Sequence, residues 1–174
     1  MLTRTEQIAS KAMGAMKAAK ATVKGLGGVF RKLSQEHGEV TALLIRLKKS
    51  SDVEVRRHLF PDIRRELLAH EKGELQVVYP AFRRYPELIA IAEDHQKEAT
   101  QLEQVISELS ATDYADAAWG RMFERLVDLV MHHVSEEEDQ YFPRASRVMG
   151  DDEPEVLEKQ YLDAKKTLLE GTLD

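Results

Sequence analysis

The chain has 174 residues, 43% of them hydrophobic, and a formal net charge of −6. This composition suits one domain with one core, and no run of about 18 apolar residues is present, which argues against a transmembrane helix. Cysteine is absent, so disulfides, thiolate nucleophiles and cysteine-bound metals are excluded. Residues 1–30 lack the apolar core of a secretion signal, which predicts a cytoplasmic protein.

Charge is distributed unevenly along the chain. Residues 1–33 carry seven lysines and arginines against one acidic residue, whereas residues 148–174 carry eight acidic residues against three lysines. Such a basic segment can contact nucleic acid or anionic lipid, or the two ends can pair with each other. No aromatic residues interleave the lysines, which argues against nucleic acid. We expect pairing of the two ends, and a packing or homo-oligomer role for the basic segment rather than membrane contact.

The first predicted helix lies in the basic segment. Residues 5–28 are rich in alanine, methionine and lysine, which favour a helix, and the glycines at 25–28 are predicted to end it. We expect this helix to pack on the outside of the main domain.

Longer segments follow in which apolar residues recur at the spacing of a buried helix face. The first of these helices is predicted from about Phe30 to the basic turn near Lys48. The second begins after Asp52, can be kinked or broken at Pro61, and is predicted to end near Pro80, because proline lacks the donor that continues a helix.

The third helix of this group is predicted from Leu88 to Leu109. A capping signal at Thr112-Asp113 is predicted to open the fourth, because short polar side chains accept hydrogen bonds from the first turn of a helix. A last helix is predicted at Pro154, where acidic residues occupy the first turn.

No segment alternates as a strand would, so the predicted fold class is all-α. Sequential helices joined by short loops pack as antiparallel neighbours. We therefore predict an up-down-up-down four-helix bundle over residues 30–147, with an extra N-terminal helix within residues 1–29 and an acidic C-terminal helix within residues 148–174.

One motif occurs twice in the bundle. His70 and Glu74 stand in HEKGELQVVYP, and His133 and Glu137 stand 63 residues later in HVSEEEDQYFP. The i, i+4 spacing projects an imidazole and a carboxylate from the same helix face. Two further histidines lie on the apolar stripes of the other two helices. The candidate metal ligands are therefore His37, His70, Glu74, His95, His133 and Glu137.

This ligand set exceeds the needs of one metal ion and suits two. Imidazole nitrogen combined with carboxylate oxygen matches iron best. We expect His37 and His70 on one iron and His95 and His133 on the other, with both glutamates and an oxo or hydroxo group bridging them. About five ligands per iron would leave positions open to small oxidants. Zinc or manganese without redox chemistry is the minor alternative.

These residues resemble the hemerythrin-like, or HHE cation-binding, family over roughly residues 30–147. The resemblance implies a non-haem diiron pair and a function in binding dioxygen, storing or sensing iron, or reacting with peroxide or nitric oxide. Oxygen-carrying hemerythrins have HxxxH on the third helix, where this chain has His95 followed by Ala99. Their fourth helix reads HxxxxD. Pairing His132 with Glu137 would restore that spacing, but His132 points about 100° away from the buried stripe if His133 lies on it.

The lost histidine predicts that one iron is more open, or that water, Glu98 or Tyr141 fills its place. A more open iron favours catalase-like or peroxidase-like turnover of hydrogen peroxide, with Tyr141 placed to supply an electron. Reversible oxygen binding, or iron sensing or storage without turnover, is the alternative.

For the acidic residues next to the candidate ligands, we expect contact with solvent rather than a hydrogen bond to a ligand. Glu36 and Asp94 each precede a candidate histidine and so face about 100° away from it. The remaining acids of the second motif are expected to be solvated or to lie behind the ligands: Glu136, Glu138 and Asp139.

Overall fold

The structure, a computed structural model, describes residues 1–171. The last three residues of the predicted acidic segment lie outside that range. Within it the chain has no strand, which confirms the predicted all-α class. The α-helices in chain order are α1 (Arg4–Val23), α2 (Gly28–Lys48), α3 (Val53–Gly73), α4 (Tyr79–Phe82), α5 (Ile89–Ala111), α6 (Ala117–Glu136), α7 (Phe142–Met149) and α8 (Asp152–Glu170). A 3₁₀ turn at Pro86–Leu88 leads into α5.

The bundle helices α2, α3, α5 and α6 bury two apolar clusters at opposite ends of the bundle. One contains the end of α2, the start of α3, the end of α5 and the start of α6. The other contains the start of α2, α4, the start of α5 and α7. Alternate helices thus run in opposite directions, as predicted. The candidate ligands occupy the layer between the two clusters, so both ends of that layer are closed by apolar side chains.

Two predicted helix boundaries differ from the structure. The second bundle helix passes through Pro61 without a break. The predicted cap at Thr112-Asp113 is wrong, because Thr112 is the C-cap of α5 and Asp113 accepts from the Ala115 amide in the connecting turn. The cap of α6 is Asp116, whose carboxylate accepts from the first turn.

Each copy of the repeated motif contains a π-helical turn. These turns span Glu74–Val78 and Glu137–Tyr141 and are followed by α4 and α7, so the helices extend past the prolines that were expected to end them. A proline in the following turn has no N–H for the carbonyl four residues earlier. The chain instead forms a wider, π-helical turn at each proline. The residue directly before the proline, Tyr79 or Phe142, donates its backbone N–H to the carbonyl of the glutamate five residues back.

The terminal helices pack closely on the bundle through glycines. An added Cβ on Gly38 of α2 would lie 2.6 Å from the Met13 carbonyl oxygen and 2.8 Å from Gly14 Cα in α1. Gly73 of α3 lies against the ring of Tyr161 in α8, with 2.7 Å between its ideal Cβ position and Cε2. Both terminal helices are therefore fitted to the bundle rather than appended to it.

Replacing Gly38 with alanine is expected to destabilise the fold by about 1–3 kcal/mol, because the new methyl group meets backbone atoms that cannot move aside. Urea denaturation measures the loss. Gly120→Ala is the matched control, since its new Cβ would lie 3.4 Å from the end of the flexible Arg56 side chain, and glycine to alanine in a helix interior stabilises by about 0.5–1 kcal/mol. Equal effects of the two substitutions would contradict the close packing of α1.

The lysines of the basic N-terminal segment pair mainly with acidic residues of the second copy of the repeated motif. Lys17 Nζ lies 2.8 Å from Glu138 Oε1, and Lys24 Nζ lies 2.8 Å from Asp139 Oδ1. The two ends of the chain also pair, through a longer contact of 3.9 Å between Arg31, at the start of α2, and Glu158 of α8. Among residues 1–171, no helix has the length and apolar character needed to cross a membrane.

Candidate metal centre

All six candidate ligands lie in the interior of the bundle. The most exposed of them, His70, is 7% accessible, and Glu74, His95 and Glu137 are fully buried. Ionisable side chains are rarely buried to this extent unless they are paired or bind a metal. Their burial therefore requires a partner for each charge.

The potential ligand atoms form two groups of four, each within a span of 4.8 Å. Each group contains one of the two histidine pairs that the sequence predicted, and one glutamate belongs to both groups. We call the two groups the first site and the second site. The first site consists of His37, His70, Glu74 and Glu137. The second site consists of Glu71, Glu74, His95 and His133.

The two glutamates of the repeated motif lie between the sites. Glu74 Oε2 is 3.5 Å from His70 Nε2 in the first site and 3.3 Å from His95 Nε2 in the second. Glu137 Oε2 is 3.1 Å from His37 Nε2 and 3.4 Å from His133 Nε2. Both carboxylates are thus placed between histidines of different sites, which is the position of a bridging ligand.

Glu71 belongs to the second site but was missed in the sequence. Its Oε1 lies 3.1 Å from His133 Nε2, its Oε2 lies 3.6 Å from His95 Nε2, and the side chain is 1% exposed. It gives the second site a fourth donor, at the site where α5 provides His95 alone. The signal was present in HEKGE, where Glu71 lies three residues before Glu74 and can share its side of the helix.

The outer hydrogen bonds of the first-site imidazoles orient their inner nitrogens. His37 Nδ1 lies 2.9 Å from Glu138 Oε1, and His70 Nδ1 lies 3.0 Å from Glu36 Oε2. Because an ionised carboxylate only accepts, each neutral ring carries its proton on Nδ1 and turns the Nε2 lone pair inward. The two Nε2 atoms lie 3.2 Å apart. Two facing lone pairs repel unless a cation lies with them, so this pair fits a metal ion.

His133 shows the same arrangement in the second site. Its Nδ1 lies 3.1 Å from Glu98 Oε2, so its Nε2 faces the carboxylates of Glu71 and Glu137. Burial disfavours the protonated ring, but the charges of Glu137 and Glu71 outweigh burial and raise the pKa of His133 well above its ordinary value. A site that draws a proton onto a buried imidazole has a negative potential, which also attracts metal cations.

The interior carboxylates lack enough partners of their own. Burial and the charges of Glu137 and Glu71 raise the pKa of Glu74 well above its ordinary value. Within the described chain, the buried site atoms without a hydrogen-bond partner are Glu71 Oε2, Glu74 Oε1, His95 Nδ1, His133 Nε2 and Glu137 Oε2. Three buried carboxylates and four imidazoles provide nitrogen and oxygen donors without thiolates, and this set fits a pair of iron ions.

The expectation that Glu36 is solvated is wrong. Its side chain is buried and accepts hydrogen bonds from His70, Tyr161 and Lys165. Burial opposes ionisation, but the hydrogen bond from His70 and the charge of Lys165 outweigh burial and lower the pKa of Glu36 strongly. Glu138 is likewise bonded to a ligand histidine. Both residues hold imidazole rings in place from behind, a role that commonly falls to carboxylates at metal sites.

Two tyrosines approach the centre from different sides. Tyr79 is stacked on His95, with ring centroids 3.5 Å apart, and its hydroxyl donates to Glu137. Tyr141, the residue named from the sequence, lies further out, and burial together with the charge of Glu98 raises its pKa to about 12. Tyr79 was missed because its helix face could not be assigned until the π-helical turn was known.

A cavity of about 340 Å³ leads from the surface to the second site. Glu71 and His133 lie at its inner end, and Tyr141 and Glu98 line its wall. His132, the alternative ligand, has a side chain that is 67% exposed and lies at this cavity, where it contacts Glu136 at 3.3 Å rather than Glu137. Small molecules can therefore reach the second site without opening the bundle.

The fold and the site together define the class of protein, a helical bundle with a metal-binding module in its interior. The chain matches the family model described as the hemerythrin HHE cation binding domain over residues 20–145, and it belongs to that family. A DNA nickase from Nostoc sp. strain PCC 7120 is 23% identical over 137 residues, which are 78% of this chain. The chain spans only 38% of the length of that relative. No solved structure matches the chain.

Proposed function

We propose that the chain holds two iron ions and consumes hydrogen peroxide. The observation that carries this proposal is the pair of four-ligand groups that share Glu74, with Glu71 as a donor of the second group. The predicted oxo or hydroxo bridge is retained as part of this proposal. Bound iron would supply the exchange of electrons with peroxide.

The ligand set favours turnover over reversible oxygen binding. Glu71 replaces a neutral nitrogen donor with a negative oxygen donor in the second site. A negative, hard ligand stabilises the more highly charged ion, so it favours ferric over ferrous iron. A carrier must return to the ferrous state after each release of oxygen, whereas an enzyme that disproportionates peroxide uses both states. The charge of Glu71 therefore supports peroxide turnover, which the sequence also favours.

The chain contributes access and orientation. The cavity at Glu71 and His133 admits a molecule of the size of peroxide, while the apolar clusters on either side of the layer exclude bulk water. The hydroxyl of Tyr79 donates to Glu137 and fixes its direction. Tyr141 on the cavity wall is proposed as an electron donor, as the sequence suggested. Two molecules of peroxide would give two of water and one of dioxygen, with the electron that Tyr141 supplies to one peroxide returned by the other.

The first test is elemental analysis of the reconstituted protein, followed by visible spectra after anaerobic reduction, air and peroxide. Near two irons per chain with dioxygen evolution from peroxide is the expected result. A stable and reversible oxygenated spectrum without evolution would favour the alternative, an oxygen-binding or iron-sensing or storage module. Failure to bind iron would overturn the metal proposal.

His95→Ala is expected to abolish dioxygen evolution, since it removes the only histidine that α5 contributes to the second site. Dioxygen evolution is measured on variant protein of known iron content, so that a loss of turnover is distinguished from a loss of bound iron. His58→Ala is the matched control, because His58 belongs to neither site and pairs with Glu6 of α1 instead. Unchanged turnover in the iron-loaded His95→Ala protein would contradict the assignment.

We do not propose DNA cleavage, the activity named for the nickase, as a function of this chain. The similar region is 38% of that protein, and two lysines of the basic helix, Lys17 and Lys24, already pair with acidic residues. The proposed partner is a small oxidant.

A further inference from the structure

The C-terminal helix α8 contacts a first-site histidine both directly and through a carboxylate. The Tyr161 hydroxyl lies 3.2 Å from His70 Nδ1. Glu36 Oε2 lies 3.0 Å from His70 Nδ1 and accepts from the Tyr161 hydroxyl at 2.6 Å and from Lys165 Nζ at 2.7 Å. Tyr161 is fully buried and Lys165 is 9% exposed. A buried lysine requires a partner for its charge, and Lys165 has two, Glu36 at 2.7 Å and Glu66 at 3.2 Å. The contact therefore connects α8 directly to the outer side of a first-site histidine.

The N-terminal helix α1 makes an equivalent contact with the other first-site histidine. Glu138 Oε1 lies 2.9 Å from His37 Nδ1 and 2.8 Å from Lys17 Nζ. Lys24 adds a hydrogen bond of 3.1 Å to the Glu138 carbonyl oxygen. Both histidines of the first site thus have a carboxylate behind them, and each carboxylate has an ammonium group from a terminal helix behind it.

The histidines of the second site are held differently. His95 Nδ1 is buried and has no hydrogen-bond partner in the described part of the chain. The carboxylate behind His133 is Glu98, which shares a hydrogen bond with the carboxyl group of Glu136. The Glu98 side chain is 25% exposed, against 8% for Glu36 and 11% for Glu138. The outer support of the second site is therefore less extensive and more accessible to water.

Three of the supporting residues lie outside the segment that matches the family, whereas Lys24 lies within it. The match covers residues 20–145, whereas Lys17 precedes it and Tyr161 and Lys165 follow it. These residues are features of this chain's terminal helices, and the family assignment does not account for them.

We propose that α1 and α8 are functional parts of the metal centre, in which Lys17, Tyr161 and Lys165 act as positioning residues for the first site. The inference rests on the proposed binding of two ions. A lysine ammonium group fixes the direction of each carboxylate, and that carboxylate fixes the imidazole ring with its Nε2 lone pair inward. The first site consequently retains its ion more tightly than the second, and the two ions are released in separate steps.

The test compares Lys165→Met, Tyr161→Phe and Lys17→Met with exposed lysines of the same helices, Lys166→Met and Lys20→Met, as controls. Each protein is loaded anaerobically with Fe(II), and release is followed during titration with a ferrous chelator, with ions per chain counted by native mass spectrometry. The three variants are expected to weaken retention of the tighter ion by about 10- to 100-fold. The weaker ion and both control variants should match the wild type.

A Mössbauer spectrum separates positioning from general destabilisation. In the variants, one of two iron signals is expected to change while the other is unchanged, and Lys165→Arg is expected to restore part of the lost retention. Tyr161→Phe removes only a hydroxyl group, so it provides a variant that keeps its packing against Gly73 even if a lysine variant misfolds. Wild-type protein that binds fewer than two ions would overturn the proposed function. Two bound ions with variants that behave as the controls would overturn this inference alone.

Discussion

Glu74→Gln is expected to reduce bound iron from two ions per chain to at most one, with a loss of affinity greater than about 100-fold at the affected site. Changes behind a ligand cost about 10- to 100-fold, and Glu74 contributes directly to both groups of ligand atoms. The amide keeps the size of the side chain but removes its negative charge. Elemental analysis and Fe(II) titration of the purified variant measure the effect.

The same variant is expected to fold as well as the wild type when both are free of metal. Burial and neighbouring carboxylates raise the pKa of Glu74, which means that a neutral side chain is favoured there when no cation is bound. Glu124→Gln on the exposed face of α6 is the matched control and should retain both ions. Two tightly held ions in the Glu74→Gln protein would show that Glu74 is not a shared ligand.

Removal of iron is expected to lower the thermal stability of the wild-type protein substantially. A ligand that binds only the folded state stabilises it by about 4 kcal/mol when its free concentration is a thousandfold above Kd. For a chain of this length, 1 kcal/mol corresponds to about 2–4 °C in Tm, so we expect the metal-free protein to melt at least about 8 °C lower. Differential scanning calorimetry of loaded and chelator-treated protein makes the comparison.

The physical reason is the concentration of charge in the interior layer. Glu71, Glu74 and Glu137 are buried together, and several of their oxygens have no hydrogen-bond partner. Without a cation, these groups must take up protons or remain unfavourably charged. The difference in Tm should shrink in Glu74→Gln, which binds less metal and carries less buried charge. Equal Tm values for loaded and metal-free wild-type protein would contradict a metal-dependent core.

The amino-acid sequence by itself determined the fold class and predicted the candidate ligands. Apolar residues at helical spacing predict which faces turn inward, and the repeated HxxxE motif places an imidazole and a carboxylate on one such face. Both depend on local geometry, because residues four apart on a helix are neighbours in any fold. The interior positions of His37, His70, His95 and His133 followed from this periodicity alone.

Only the tertiary structure decided how the layer is completed. Glu71 directly follows a candidate ligand histidine, so its side chain is rotated around the helix axis and faces a different neighbouring helix. Its role could be assigned only when the positions of α5 and α6 were known. The π-helical turns add a residue to the helical turn, which changes the direction of Tyr79 in a way that a constant period cannot predict.

The support from the terminal helices was also beyond the sequence. Glu36 and Lys165 are 129 residues apart, and Glu138 and Lys17 are 121 residues apart. No local pattern connects such residues, because their contact depends on where α1 and α8 pack against the bundle. Periodicity therefore determined which side chains enter the core, whereas the packing of distant helices decided which charges neutralise them there.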